Sequence, residues 1–296
     1  ATYKQIFGKQ VKFLSSDPTN EAEGQVWYNS TSGTFKSVVN SGAWVSSAPI
    51  SIIRTATAST GTQTASLLMG GSIPPYPTNS AVVEQYNGTG WANETVIPTA
   101  SKEGMGAGTT TAALFAGGST PGVPATASFE YDGSTWTASP GSLTLGRQSS
   151  TSAGTQTAAL IAGGSGWGSP GGTPATETYD GSTWTAGGAL GTGRYQMMGS
   201  NVGLQTATLA IGGYPLTDKV EEYSGTAWSE LPAVLPTAGG NQARYGTTTA
   251  AVCAGGGPGP GAETDVKEFD GTTWTVTPSL ATGRDSNSGS GTTTAG

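Results

Sequence analysis

Short apolar runs alternate with glycine, threonine and serine along this chain, and the alternation repeats. A run such as Thr157-Ala158-Ala159-Leu160-Ile161-Ala162 ends in a Gly-Gly pair, and such pairs begin at Gly70, Gly117, Gly163, Gly212 and Gly255. A small, β-prone run bounded by turn residues reads as a buried strand packed close to its neighbours. Further along comes an aromatic residue: Tyr86, Tyr131, Tyr179, Tyr223 or Phe269. Five positions later stands a tryptophan: Trp91, Trp136, Trp184, Trp228 or Trp274. Trp44 opens the series, with Val39 in the aromatic's place. Between aromatic and tryptophan run turn sequences: Asn87-Gly88, Asp132-Gly133, Asp180-Gly181, Ser224-Gly225 and Asp270-Gly271. Asn-Gly and Asp-Gly are strong hairpin signals, because such turns need positive φ. The aromatic therefore ends one strand and the tryptophan opens the next. Upstream of each apolar run, Gly154-Thr155 and its equivalents mark a turn after a polar strand.

The tryptophans are spaced by 47, 45, 48, 44 and 46 residues. Four antiparallel strands in such a period match one blade of a β-propeller. A β-solenoid is the alternative, but its repeats are shorter and lack paired hairpins. Arg54, Arg147, Arg194 and Arg284 fall 10 or 11 residues after a tryptophan, and Lys102 takes that place in another copy. The copy after Trp228 departs, with Ala238-Gly239-Gly240 there and Arg244 later. Gly-Gly, a variable loop, Tyr, Trp and then Arg resemble the Kelch motif. The resemblance covers residues 33–296 and implies an all-β, six-bladed Kelch-like propeller; a fold of this kind does not specify function.

The ends fit this expectation. Thr34–Ser46 matches the last two strands of a blade, Gly24–Asn29 supplies a strand before it, and residues 284–296 begin a repeat without reaching a Gly-Gly. A blade shared between the two ends closes a ring of six and removes free strand edges. Alternatively, the chain continues past Gly296 into a seventh blade. Residues 1–23 do not repeat, and read either as an arm or docking segment or as a capping strand; the propeller is then residues 24–296.

Composition narrows the function. Charged residues are 10% of the 296, against about 25% in ordinary soluble domains. There is no histidine, which removes Ser-His and Cys-His catalysis, most zinc sites and a histidine pH switch. The single cysteine, Cys253, aligns with Leu68, Phe115 and Ile161 in the apolar strand and reads as packing. Net charge is −7 without a basic cluster, so no nucleic-acid partner is expected. No apolar run is long enough to insert in a membrane, and no signal peptide is visible. The opening Ala-Thr-Tyr-Lys reads as a cytoplasmically made start after loss of the initiator Met.

Glu130, Asp132, Glu177, Asp180, Glu221, Glu222, Glu268 and Asp270 recur near the aromatic and raise the question of a glycosidase. Such an enzyme needs two carboxylates in different environments. Repeating positions read instead as turn caps and solvated edges. The Asp-Gly-Ser-Thr-Trp turns are one residue shorter than the Asp box of sialidase propellers, itself a structural turn. No catalytic residue, metal site or cofactor is expected. The repeat arginines read as donors to main-chain carbonyls at blade junctions, or alternatively as the lining of a channel. What breaks the repeat is the better lead. The loops after each Gly-Gly should share one face, and they carry Tyr76, Trp167 and Tyr214, the candidate binding residues.

The block Gly24–Lys36, with the Gly/Thr-rich degenerate blades, resembles Kelch-like fibre and surface proteins of marine bacteriophages. That resemblance implies a non-enzymatic virion protein made in the bacterial cytoplasm, present in many copies, whose partners are other virion proteins or a host surface glycan. The alternatives are a carbohydrate-active propeller enzyme and an intracellular Kelch-type scaffold.

Overall fold

The computed structural model describes residues 12–16, 26–31, 33–37, 44–121, 123–166, 171–197, 200–257 and 261–293. The chain divides into two units, residues 1–43 and 44–296. In the first, Lys12–Leu14 pairs in parallel with Val26–Asn29, which pairs antiparallel with Thr34–Ser37.

The second unit is all β among its described residues, built from five four-stranded antiparallel sheets. The third sheet serves for all. Thr151–Thr155 turns at Gln156-Thr157 into Ala158–Ala162, which pairs with Thr176–Tyr179, which pairs with Trp184–Ala186. Tyr179 ends its strand and Trp184 opens the next, as the turn chemistry requires. The Asp180 carboxylate accepts the N–H groups of Ser182 (2.9 Å) and Thr183 (2.7 Å) and both hydroxyls. Asp132 and Asp270 repeat these bonds, and the Asn87 side chain accepts the equivalent N–H groups.

The polar strand is the innermost of each sheet. Ser152 pairs in parallel with Asn201, and Ser200–Val202 with Arg244–Gly246, so the inner strands of the third, fourth and fifth sheets run side by side. Converging strands leave little room, and Gly, Ala, Ser and Thr fill most of these positions, as in Ala58–Thr62 and Thr151–Thr155. Large side chains sit between consecutive sheets instead. Leu67, Met69 and Val83 of the first sheet meet Phe115, Tyr131 and Trp136 of the second. Tyr131 stacks on Trp136 at 4.8 Å, and the other four sheets repeat the pair. Main-chain clamps add to this packing: Gln205 Nε2 donates to the carbonyls of Ala159 (3.0 Å) and Tyr179 (2.6 Å) on the preceding sheet.

Each Gly-Gly pair joins its sheet to the following repeat. Gly164 N donates to Arg194 O at 2.8 Å, and the same bond recurs from Gly71, Gly118, Gly213 and Gly256. Gly163 has φ +69°, and a Cβ there would lie 2.6 Å from that same carbonyl. Both the backbone conformation and the contact therefore demand glycine.

A second repeating device was invisible in the motif. Ala56, Glu103, Ser149, Gln196, Asn241 and Ser286 all have left-handed backbone, with φ between 52° and 60°. Each stands two residues after the arginine position. In the second copy that position is Ser101 rather than the Lys102 that the spacing suggests, because Gly71 N binds Ser101 O as Gly164 N binds Arg194 O. Main-chain bonds step through them: Ala56 N to Ser286 O (3.0 Å), Glu103 N to Ala56 O (2.7 Å), Ser149 N to Glu103 O (3.0 Å), Met197 N to Ser149 O (3.0 Å) and Asn241 N to Gln196 O (2.9 Å). Left-handed backbone costs a non-glycine residue roughly 1–2 kcal/mol. It persists here because a bond to the neighbouring repeat holds it.

The exposed turn aspartates give the fold an acid limit. The bonds from Thr135 N and Ser134 hold the Asp132 carboxyl well below the usual carboxylate range, and Asp180 and Asp270 are held likewise. A carboxyl whose folded pKa lies below its unfolded one contributes stability above the unfolded value, near 3.9, and loses it as pH falls further. The unfolding temperature should therefore drop as pH is lowered below about 4. The triple variant D132N/D180N/D270N should fold, since Asn87 already serves in such a turn, and its acid slope should be flatter. An unchanged slope would clear these turns of the acid sensitivity.

Candidate functional site

The Gly-Gly exits lie at one end of every sheet, beside the left-handed residues. The residue after Gly-Gly bridges to the residue before each left-handed position: Thr55 with Ser72, Lys102 with Ser119, Gln148 with Ser165, Tyr195 with Tyr214 and Gly240 with Gly257. Four of these pairs are small or polar. The fourth sheet alone places two aromatics there.

Tyr195 and Tyr214 exchange main-chain bonds of 2.8 and 2.7 Å, which fixes their side chains alongside one another. Their rings meet edge to face, with centroids 5.3 Å apart. Tyr214 is 45% exposed, and Tyr195 is half-buried. Burial first, then Tyr214 and the Glu103 carboxylate, push the Tyr195 phenol above its usual pKa. Glu103 in turn accepts the Ser149 hydroxyl and lies 3.5 Å from the Lys102 ammonium. Leu216, two residues after Tyr214 in the same loop, is also exposed. The arrangement sets two phenol rings, one of them exposed, beside a partly buried carboxylate and ammonium. Edge-to-face aromatics with polar tips suit the binding of a ligand that has both apolar and hydroxyl-bearing faces.

The sequence picked Tyr214 and missed Tyr195. Its signal was present: it follows Arg194 directly, where other copies have Thr55, Lys102 and Gln148. Tyr76 is 52% exposed at the tip of the hairpin joining Ser72–Ile73 to Thr78–Asn79. That hairpin is tied to the second loop by Asn79 Nδ2, which donates to Ser119 O at 2.5 Å. Tyr76 and Tyr214 stand on loops of different sheets. Trp167 lies outside the described residues.

The repeating carboxylates divide into two kinds. Asp132, Asp180 and Asp270 cap turns, as expected. Glu177 and Glu221 do not line a solvated edge. They are buried against arginine, Glu177 at 2.5 Å from Arg147 and Glu221 at 2.8 Å from Arg194, and Glu84 pairs with Arg54 at 2.6 Å. The arginines also bind carbonyls, but within their own sheet: Arg147 Nη1 donates to Ala175 O (2.7 Å) and Gly163 O (3.3 Å). Glu130 accepts the Tyr179 hydroxyl at 2.6 Å. Cys253 is buried. Among the described residues no group of three His, Cys, Asp or Glu side chains could hold a metal.

A cleft of about 330 Å³ opens at the other end, between the third and fourth sheets. Its lining includes Gln205, already bonded to two carbonyls, and Tyr223, stacked near Trp228. These side chains are committed to holding the sheets together. No helix among the described residues is long and apolar enough to cross a membrane. Comparison with protein-family models and with curated proteins finds no match for this chain.

Proposed function

We propose that this chain is a six-bladed Kelch-like propeller that serves as a non-enzymatic structural protein of a bacteriophage particle, binding a host-surface glycan through its loop-bearing end. The observation that carries the binding role is the Tyr195–Tyr214 pair, a break in an otherwise regular repeat at the exposed end. For the sixth blade, the support lies at the two sides where a sixth sheet belongs. Trp44 packs on the free face of the fifth sheet, with Ala243, Tyr245 and Val252. Ser286–Ser290 bonds along the inner strand of the first. The left-handed non-glycine residues among those described number six as well. The virion role rests on the Gly24–Lys36 block and the degenerate blades. Many copies on a particle convert weak loop contacts into avidity.

Antibody labelling of purified particles tests the virion role, and absence of label would sink it. The binding role has its own test. Tyr214→Ala should weaken binding of the purified protein to host surface polysaccharide by about tenfold, roughly 1.4 kcal/mol. Its unfolding temperature should stay within about 2 °C of the parent, because an exposed side chain contributes little to stability. Equal binding by Tyr214→Ala and the parent would move the site elsewhere. Cleavage of the polysaccharide by the protein would replace a binding role with an enzymatic one.

A further inference from the structure

The fifth sheet breaks the charge pattern of the others. In the first, third and fourth sheets a buried arginine meets a buried glutamate two residues before the tyrosine. In the fifth, Gly239 stands at the arginine position and Lys267 at the glutamate position. The guanidinium comes instead from Arg244, at the inner-strand position that is Ser59 in the first sheet and Ser152 in the third.

Arg244 is completely buried. Its Nη1 donates to the main-chain oxygens of Gln242 (3.3 Å) and Gln196 (3.4 Å). Its Nε and Nη2 have no hydrogen-bond partner. Those two nitrogens form one edge of the guanidinium, the edge that grips an anion side-on. Strand register sets Cys253 beside Arg244 and Lys267 beyond it. The Cys253 sulfur is a weak hydrogen-bonding neighbour of the Arg244 guanidinium, but burial pushes its thiol up to about 11, so it stays neutral and supplies no counter-charge. Lys267 is buried too; its nearest carboxylate, on half-exposed Asp265, is 3.9 Å away. The neighbouring Arg194 already has Glu221. This row therefore holds two buried cations and no buried carboxylate of its own. Burial lowers the Arg244 pKa to about 10, which leaves it charged at neutral pH. An uncompensated buried charge is strongly unfavourable, and arginine cannot relieve it by losing a proton.

We propose that the free Nε/Nη2 edge of Arg244 binds a small inorganic anion taken from solution, enclosed between the fourth and fifth sheets. The anion does for the fifth sheet what Glu84, Glu177 and Glu221 do for theirs. Bromide is the probe, because its anomalous scattering locates it. Crystals of the full chain grown in bromide should show a peak at hydrogen-bonding distance from Nε and Nη2. Arg244→Ser, which carries the residue of the first and third sheets, should lose that peak. In solution, replacing gluconate by bromide at constant ionic strength should raise the unfolding temperature of the parent. The rise should be roughly 3–5 °C for each tenfold increase above the dissociation constant. Arg244→Ser should show no such rise. A peak only at the surface, a water at the fork, or equal bromide responses in parent and variant would each overturn the proposal. Should Arg244→Ser fail to fold, the anomalous map of the parent decides alone.

Discussion

A chain ending at Gly283 is expected to unfold roughly 10–20 °C below the full-length protein, taking about 2–4 °C per kcal/mol for a unit of this size. The segment removed has almost no apolar side chain, so hydrophobic burial does not hold it. Among the described residues, six hydrogen bonds of 3.0 Å or less hold it, and Asn287 Nδ2 adds a longer one to Ala254 O at 3.5 Å. Ala56 N binds Ser286 O (3.0 Å), Thr57 Oγ1 pairs with Ser288 Oγ (2.9 Å), Ser59 Oγ binds Gly289 O (3.0 Å) and Ser66 Oγ pairs with Ser290 Oγ (2.8 Å). At its start, Gly256 N binds Arg284 O (2.8 Å) and Arg284 N binds Glu263 O (2.9 Å). At about 1 kcal/mol each, they total about 6 kcal/mol. The partners left behind are partly buried, which adds their desolvation. A gentler variant, S288A/S290A, removes only two side-chain bonds and should fall by about a third as much. Calorimetry on both decides the matter. An unchanged transition in the truncated chain would mean that the segment does not complete the first sheet's inner side.

The second large effect concerns the buried ion pairs. Glu177→Leu should destabilise the protein by about 3–5 kcal/mol, because it strands the Arg147 guanidinium without its partner. The pair is well satisfied. Beyond the 2.5 Å contact to Arg147, the Glu177 carboxylate accepts Thr144 N at 2.7 Å and Thr144 Oγ1 at 2.8 Å. The second sheet shows how the site is built without charge: Ser101 stands at the arginine position and Phe129 at the glutamate position, with Phe129 in the core. The double variant R147S/E177F copies that solution and should recover most of the loss, to within about 1–2 kcal/mol of the parent, since buried ion pairs are often replaced by apolar groups at little cost. Urea titration of the parent, the single and the double variant gives the coupling directly. A double variant as unstable as the single one would show that Glu177 acts through Thr144 and Leu145 rather than through the arginine.

Glu177 also shows where the sequence could have been read better. It lies two residues before Tyr179 in one strand, and a two-residue step returns to the same face. A buried Tyr179 therefore buries Glu177. The same rule puts Glu84 with Tyr86 and Glu221 with Tyr223. The first and last of these glutamates were separable from Asp132 and Asp180 by that spacing alone. Their arginine partners come from about 30 residues away, as with Arg54 and Glu84. Pairing at that distance needs the sheet, although the joint loss of arginine and glutamate in the second and fifth copies hinted at it.

What the sequence determined by itself is the local architecture: where each strand starts and stops, which turn joins it to the next, and which strand carries the small buried residues. These follow from interactions within a few positions, such as Asp180 capping its own turn and Gly163 alone tolerating φ +69° beside a carbonyl. What only the tertiary structure decided is the fate of the polar groups. The left-handed residues Ala56 to Ser286 are of five different types, and a main-chain bond to a neighbouring repeat sets their conformation. Tyr195 meets Tyr214 because two loops of one sheet bridge there. Arg244 is buried without a carboxylate because the fourth and fifth sheets close over it. Burial and pairing depend on what packs across from a residue, and that partner is remote in the chain.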